Sequence, residues 1–360
     1  MIFHRSLLRE FAGVALAVFS VLLAITLTTL LIRFLGQAAS GSILSEGVLA
    51  LLGFSLLNYL PILLSLTLFI SVLMTLMRAY RDSEMIVWFC SGVSLFAWVR
   101  PVLMFAAPLV MTIALLSFVL SPWAQTKSDE FKRQLDTRDD VSTVAPGVFR
   151  ESKHSDRVYF VENVVGSANR VANIFVHSMQ HGKLGTMTAK SGYQETLPGG
   201  DRYLVLQDGW RYEGPPGSAE YKITHFERYS MRIEGGDARQ AGAPYPKAMS
   251  TPELLRQGGP YHMAELAWRI GLPLAAMMLA LLAIPLSFIN PRAGRSLNLV
   301  LALLVYMVYS NSLSIAQAWI AQGKIGFAAG VAGVHAMMIA LLLVLFYRRL
   351  AAMPPTRRGK

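Results

Sequence analysis

The chain has 360 residues, of which 54% are hydrophobic and only 15% charged, with a mean hydropathy of +0.44. Ordinary numbers of glycine (28) and proline (17) exclude collagen-like or low-complexity disorder, and a single cysteine, Cys90, excludes a disulfide framework or a multi-cysteine metal site. Lys and Arg (33) outnumber Asp and Glu (22), an excess of +11 whose meaning depends on where it lies.

The apolar residues gather in uncharged runs of about 20, the length that crosses about 30 Å of hydrocarbon, so the sequence describes an integral membrane protein. The first run is Phe11 to Ile32. The small-residue stretch Leu35 to Gly41 behind it mimics a signal cleavage site, but a signal's apolar core has about 7 to 15 residues, so the run reads as a retained first span. Val48 to Met77, with Asn58 and Pro61, forms the second and Val102 to Leu120 the third. After a long polar block come Ile270 to Ile289 with Pro273 and Pro285, Leu297 to Ile320, and Phe327 to Tyr347. The arrangement is three plus three, an α+β membrane protein with segments 1–121, 122–262 and 263–360.

Cations in short connections stay on the cytoplasmic side. With the N-terminus inside, that side holds 12 (Arg5, Arg9, Arg78, Arg81, Arg100, Arg292, Arg295, Arg348, Arg349, Arg357, Arg358 and Lys360), against Arg33 and Lys324 outside. The polar block Ser121 to Met263 carries 18 cations and 17 anions and is nearly neutral. The basic balance is therefore a topology signal and an attraction to anionic headgroups, and nucleic acid is excluded as a partner.

The external block opens with a charged, helix-like stretch, Thr126 to Asp140, and continues in short β-branched and aromatic runs: Arg157–Glu162, Val171–Val176, Arg202–Gln207, Trp210–Tyr212, Tyr221–Phe226 and Tyr229–Ile233. Turns such as Pro198-Gly199-Gly200-Asp201 and Gly214-Pro215-Pro216-Gly217 separate them, which indicates an all-β sandwich or roll. Several runs are apolar on both faces, consistent with a two-sheet core or with an apolar-lined slot.

Catalytic motifs are missing. His181-Gly182-Lys183-Leu184-Gly185-Thr186 lacks the spacing of a phosphate loop, and neither G-x-S-x-G nor H-E-x-x-H occurs. His177 and His181 flank a strand end with no third ligand near. Asn58, Asn311, Gln317 and His335 lie inside spans, where interhelical hydrogen bonding explains them, and Glu265 with Arg269 reads as an i,i+4 pair. Arg33 stands at the outer end of the first span, against the charge bias; it either snorkels to lipid phosphates or receives an anionic substrate.

One cytoplasmic segment stands apart. From Arg78 to Ser94 the chain offers Asp82 or Ser83 as a cap, Gly92 as a stop, and a short helix between that would expose Met85, Ile86, Trp88 and Phe89. An interfacial anchor and a docking helix for a cytoplasmic partner both fit that composition.

Taken in order, Met1 to Glu10, Leu35 to Gly41, Arg81-Asp82-Ser83-Glu84-Met85 to Gly92-Val93-Ser94, Ala145-Pro146-Gly147-Val148-Phe149, Leu206 to Gly214, Ala283 to Ser287 and Asn290 to Arg295 resemble the LptF/LptG lipopolysaccharide export permeases over essentially the whole chain, the N-terminal strings leaning toward the LptF branch. The resemblance implies a multi-pass protein of the Gram-negative inner membrane with a periplasmic β-jellyroll. Its partners would be an LptG-type paralogous permease, an LptB-type ATPase dimer, an LptC-type protein with a membrane helix, and lipopolysaccharide. It implies no catalysis and no cofactor on this chain, with ATP used by the partner. It further implies a coupling helix near residues 79–92, with Glu84 as its carboxylate and Arg81, Met85, Trp88 and Gly92 around it, and makes Arg33 the lipid-phosphate contact and the β-domain an apolar slot. The bulky Trp88-Phe89 pair departs from many relatives. The alternative is a membrane-bound envelope enzyme, a lipid-modifying transferase or protease, with a periplasmic sensing domain.

Overall fold

The computed structural model describes residues 2–39, 43, 45–142, 147, 149–151, 157–165, 170–180, 183–196, 202–215, 220, 222–232, 245–288 and 295–351. The chain divides into two compact units, Met1–Lys132 with Pro244–Lys360, and Arg133–Ala243. His181, the Pro198–Asp201 turn, Pro216-Gly217, most of Asn290 to Arg295 and the C-terminal cations beyond Ala351 lie outside the described residues.

The first unit is helical because an apolar run in hydrocarbon has to satisfy its own backbone donors and acceptors. Its long helices are α1 (Ile2–Ala39) and α2 (Val48–Arg81); after the short α3 (Glu84–Cys90) comes α4 (Val99–Leu115). A π turn at Leu116–Leu120 joins α4 to α5 (Ser121–Ser142). Beyond the second unit follow α6 (Thr251–Gln257), α7 (Pro260–Leu286), α8 (Arg295–Ala321) and α9 (Phe327–Ala351). Six of these helical stretches, Ser6–Ala39, Val48–Arg81, Leu95–Lys132, Pro260–Leu286, Leu299–Ala321 and Phe327–Ala351, are long and apolar enough to cross a membrane. Three precede the second unit and three follow it, as the hydropathy pattern predicts. Pro61, Pro108, Pro273 and Pro285 all lie within helices that continue past them.

Packing is graded. The apolar windows of α2 and α7 are 61% and 67% buried, whereas that of α1 is 6% buried. The core joins Leu68, Leu73 and Leu76 of α2 to Val102 of α4, Ala276 and Ala280 of α7, and Tyr309 of α8. α7 buries Ala264, Ala267, Ala275, Ala276, Ala280 and Ala283, small side chains that let neighbouring backbones come close where lipid supplies no hydrophobic drive.

The second unit contains one six-stranded antiparallel sheet with sequential order: β1 (Arg150–Glu151), β2 (Arg157–Val165), β3 (Arg170–Gln180), β4 (Lys183–Thr196), β5 (Arg202–Gly214) and β6 (Lys222–Arg232). The runs Arg202–Gln207 and Trp210–Tyr212 are one strand, and so are the described parts of Tyr221–Phe226 and Tyr229–Ile233. β4 escapes a propensity reading because Lys183, Gly185, Ala189, Lys190, Gly192 and Glu195 are spread through it.

A polar crease crosses these strands and shifts their pattern of buried residues. The pairing registers step over Glu162, Asn173, Lys190, Asp208 and Glu227, which line up between paired neighbours across β2 to β6. Asn173 and Asp208 each take a left-handed backbone with φ of 51°, which Asn and Asp tolerate better than other side chains. Inward-facing parity changes across this line: Val171 packs with the core on one side and Ile174 and Val176 on the other, Leu204 and Leu206 precede buried Gly209, and Phe226 precedes Tyr229 and Met231. A shift of one residue exchanges the faces of a strand, so Leu204, Leu206, Phe226 and Tyr229 share one core, while Val205, 0% exposed between Leu204 and Leu206, is buried on the other face. Asn173 donates to Glu162 at 2.5 Å, while Lys190 and His225 reach Asp208 at 2.6 and 3.3 Å. The Lys190 hydrogen bond, seconded by His225, holds the Asp208 carboxyl below its usual range.

Gly209 sits beside the crease where a Cβ would run into the Thr188 carbonyl and come within 2.5 Å of Phe226 Cζ. Gly209→Ala is therefore expected to open the β4–β5–β6 side of the sheet while sparing the helices. Hydrogen exchange on the full-length protein checks this: wild-type protection in Thr186–Gln194 would show that the sheet absorbs the methyl group.

Candidate functional site

α3 is built by backbone geometry more than by capping side chains. Asp82 ends α2, its N–H bonding the carbonyl of Arg78, and Ser83 turns left-handed with φ of 60° and no side-chain cap. At the other end Gly92 (φ 86°) donates to the Phe89 carbonyl and Val93 to that of Trp88, both at 3.0 Å, the paired closure that a left-handed glycine permits. An added Cβ would meet no atom within 4 Å, so the conformation alone selects glycine there.

The faces of α3 differ from the expectation. Met85 is 1% exposed, and Trp88 and Phe89 are half-buried against the helical core; these three share one face by i, i+3, i+4 spacing. Ile86, Val87 and Cys90 point outward, together with Glu84, which is only partly free. Met85 is thus an anchor of the segment, not part of its outer face.

Glu84 is held inside the chain. Arg78 Nη1 donates to Glu84 Oε1 at 3.1 Å and to Asp82 Oδ2 at 3.2 Å, while its Nε and Nη2 grip both carboxylate oxygens of Glu10 on α1, the Nη2 contact being 2.7 Å. Arg81 bonds Asp82 at 2.9 Å, and this bond, with Arg78 adding to it, holds the Asp82 carboxyl below its usual range. Sequence reasoning missed Arg78 and Glu10; the signals were the i,i+4 spacing of Arg78 and Asp82 and a lone anion in the basic first turns of α1. An aromatic series runs beside this cluster: Phe89 to Tyr80 (6.3 Å between centroids), Tyr80 edge-on to Phe288 (5.5 Å), and the Arg349 guanidinium 4.1 Å over Phe288.

Arg33 lies at the other end of α1. It is exposed and forms no ion pair or hydrogen bond among the described residues, while its neighbours Leu30 and Phe34 bury against Val48 and Leu51. Of the polar residues inside spans, Asn58 donates to Gln125 at 3.2 Å, and Tyr309 Oη lies 2.6 Å from His335 Nδ1 between α8 and α9. Asn311 instead bonds its own helix at the Met307 carbonyl, and Gln317 is half-buried. His177 meets Thr186 at 3.1 Å, and no group of three His, Cys, Asp or Glu suited to a metal occurs among the described residues.

Arg269 does more than pair with Glu265. It is 1% exposed; Nε donates to Glu265 at 3.0 Å, Nη1 to Thr251 Oγ1 at 3.0 Å, and Nη2 to the carbonyls of Pro246, Lys247 and Met249 at 3.2, 3.3 and 2.9 Å. Thr251 in turn donates to Phe118, inside the π turn, and Thr126 to Ala248. One guanidinium thereby fastens the segment that leads into α6 and α7 onto α7 itself, and Ser117 adds a bond to the Arg269 carbonyl at 3.3 Å.

Among the described residues, six helices able to cross a membrane, an antiparallel sheet inserted between the third and fourth, and a short helix packed on the helical core are the build of a multi-pass membrane protein. A family profile described as "Lipopolysaccharide export system permease LptF/LptG" matches residues 5–348, and the chain belongs to that family. It is 31% identical over 315 residues to the lipopolysaccharide export system permease protein LptF of Escherichia coli (strain K12), covering 86% of this chain and 84% of that relative. The LptF proteins of Escherichia coli O157:H7 and Shigella flexneri match with the same identity and coverage. As a member of this family the chain is a multi-pass inner-membrane permease component, not a catalytic enzyme.

Removing one partner of a buried ion pair costs about 3–5 kcal/mol because the other charge stays uncompensated. Arg269→Met is expected to destabilise the detergent-solubilised chain by that order. Adding Glu265→Leu should restore only part of it, since the carbonyls of Pro246, Lys247 and Met249 still lose their donor. Unfolding followed by tryptophan fluorescence measures both; full recovery in the double variant would reduce the cluster to the simple pair.

Proposed function

We propose that this chain is a transmembrane subunit of an ABC transporter that extracts lipopolysaccharide from the inner membrane and passes it, by way of its β-domain in the periplasm, toward the outer membrane. The observation that carries this reading is the family match over nearly the whole chain, spans and inserted β-unit together. An LptG-type paralogue would complete the lipid cavity, an LptB-type ATPase dimer would bind below and use the ATP, and an LptC-type protein would add a membrane helix and a further β-domain. The bare apolar faces of α1, α8 and α9 suit such company. The envelope-enzyme alternative has no observation in its favour.

In this reading α3 is the coupling helix and faces the cytoplasm. Its outward Ile86 and Val87 meet the ATPase, with Glu84 at their edge, and Arg81 and Gly92 bound the segment. Met85 and Trp88 seat it from behind. Arg33, exposed and unpaired among the described residues at the opposite end of α1, meets lipid A or inner-core phosphates, for which a guanidinium fork is suited.

Orientation is tested with the native thiol, because Cys90 is exposed on α3. In cells with a permeabilised outer membrane an impermeant maleimide should label Cys90 only after the inner membrane is opened; labelling before that would invert the topology.

Transport is tested by reconstituting the purified complex with ATP and lipopolysaccharide. Release should fall in the order Arg33→Lys, Arg33→Ala, Arg33→Glu, with basal ATP hydrolysis retained. Equal release from all three, without a photocrosslink from position 33 to lipopolysaccharide, would remove Arg33 from the substrate path. Glu84→Gln should lower hydrolysis-driven release; a reversal to Arg is less informative, because it would also repel Arg78 3.1 Å away. Turnover by the isolated chain, or failure to co-purify an ATPase, would overturn the reading as a whole.

A further inference from the structure

The coupling segment is short, and a seven-residue helix hung from a two-residue break has no stiffness of its own. If Asp82 and Ser83 could flex freely, a push on α3 would be absorbed at that break. Two sets of contacts oppose this. Met85, Trp88 and Phe89 seat α3 on the core, and Phe89 continues through Tyr80 and Phe288 to Arg349, whose Nε also bonds the Pro285 carbonyl at 3.3 Å. That series stacks α3 against the ends of α2, α7 and α9. The second set is ionic and leads elsewhere: Arg78 spans from Glu84 on α3 to Glu10 on α1.

α1 is held by one narrow stripe, Phe11, Val14, Val18, Leu22, Thr26 and Leu30, that runs along its length and packs mainly on α2. Its apolar window is 6% buried, with Leu7 and Phe11 packed near one end and Leu30 and Phe34 near the other. Glu10 is separated from Arg33 by 23 residues, about 34 Å of helix at 1.5 Å per residue. α1 is one uninterrupted helix from Ile2 to Ala39 seated on a single narrow stripe, so it shifts along that stripe as a unit and whatever displaces Glu10 displaces the far end as well.

We propose that Arg78 is a positioning residue that locks α3 to α1 through Glu84 and Glu10, so that displacement of the coupling helix is delivered along α1 to the end that carries Arg33. The guanidinium suits this task because its planar fork can hold one carboxylate with two parallel bonds while a remaining N–H reaches another; a lysine would offer a single ammonium point. Three carboxylates around Arg78 and Arg81 leave the cluster one charge negative, so a cationic site on a partner could draw Glu84 away without unpairing Arg78. Arg78 would keep Glu10 and Asp82 through such an exchange, which lets the link to α1 survive contact with the partner.

The proposal rests on the transport reading for its output but not for its existence, and two measurements separate them. The first places a nitroxide on the native Cys90 of the full chain in nanodiscs, without partners. Glu10→Gln, which removes the α1 arm and leaves Glu84 in place, should increase label mobility at Cys90, and Glu10→Asp should stay close to wild type. Unchanged mobility in Glu10→Gln overturns the lock, whatever the transport result.

The second uses the reconstituted complex and reads lipopolysaccharide released per ATP hydrolysed. Glu10→Gln should leave hydrolysis and assembly at wild-type levels and cut release per ATP about fivefold, the scale of one part-exposed ion pair, with Glu10→Asp restoring most of it. Increased Cys90 mobility with an unaltered release ratio would overturn delivery along α1. A wild-type complex that hydrolyses ATP and releases no lipopolysaccharide would instead count against the proposed function, while the Cys90 measurement still decides the lock.

Discussion

Hydrocarbon offers no partner to an open N–H or carbonyl, and this constraint governs the helical unit of the chain. Within α1, α2, α7 and the other spans the helix itself meets the demand. Where the chain leaves a helix, arginine takes over. Arg269 collects three carbonyls, a threonine hydroxyl and the Glu265 carboxylate at the entry to α6 and α7, and Arg78 collects three carboxylates at the exit from α2. The chemistry is the same and the surroundings are not. Arg269 is dry and loses heavily if any partner goes, so it fixes the chain. Arg78 is 36% exposed, its bonds compete with water, and its partners can exchange.

The spans were legible because the length of an apolar run is itself the structural requirement. α3 was legible as a helix and not as an oriented one. Met85, Trp88 and Phe89 stand at i, i+3 and i+4, a pattern the sequence displays, yet two turns show each face only once and cannot say which face meets the bundle. That choice is made by the left-handed Ser83, which sets the angle of entry. The roles of Arg78 and Arg269 stayed hidden for another reason. Their partners include Glu10, 68 positions away, and backbone carbonyls about 20 positions away, and periodicity carries no information at those separations.

The sheet shows how one local irregularity can defeat a sound rule. Alternation of apolar and polar residues identifies a strand only while the backbone stays extended. At the crease the left-handed Asn173 and Asp208 leave the extended backbone, and beyond them the buried positions fall on the opposite parity although the pairing register is unchanged. Two half-strands of good pattern then read as two strands, as happened for β5 and β6. β4 was lost for the opposite reason, since Gly192 faces a core position where Ile174 and Val205 leave no room for a side chain and hydrophobicity gives no signal.

The exposed faces of α1 and α8 set a final limit on how this chain can choose its neighbours. Thr28 and Thr29 bond the carbonyls of Ala24 and Ile25, and Asn311, Ser312 and Ser314 bond those of Met307, Val308 and Ser310, each four residues back. The hydroxyls spend their single donors on their own helix, while Asn311 spends one N–H there and keeps a second N–H and a side-chain carbonyl to offer. Asn311 apart, what they leave for contact is an apolar surface that lipid and protein can cover equally well, where close packing decides affinity and chemistry decides little. Arg33 breaks that uniformity. Its guanidinium is exposed, with no ion pair or hydrogen bond among the described residues, and brings a full charge to a surface of neutral side chains. In the proposed reading, that charge is what favours a phosphate-bearing ligand over an ordinary acyl chain on a surface otherwise indifferent to what covers it.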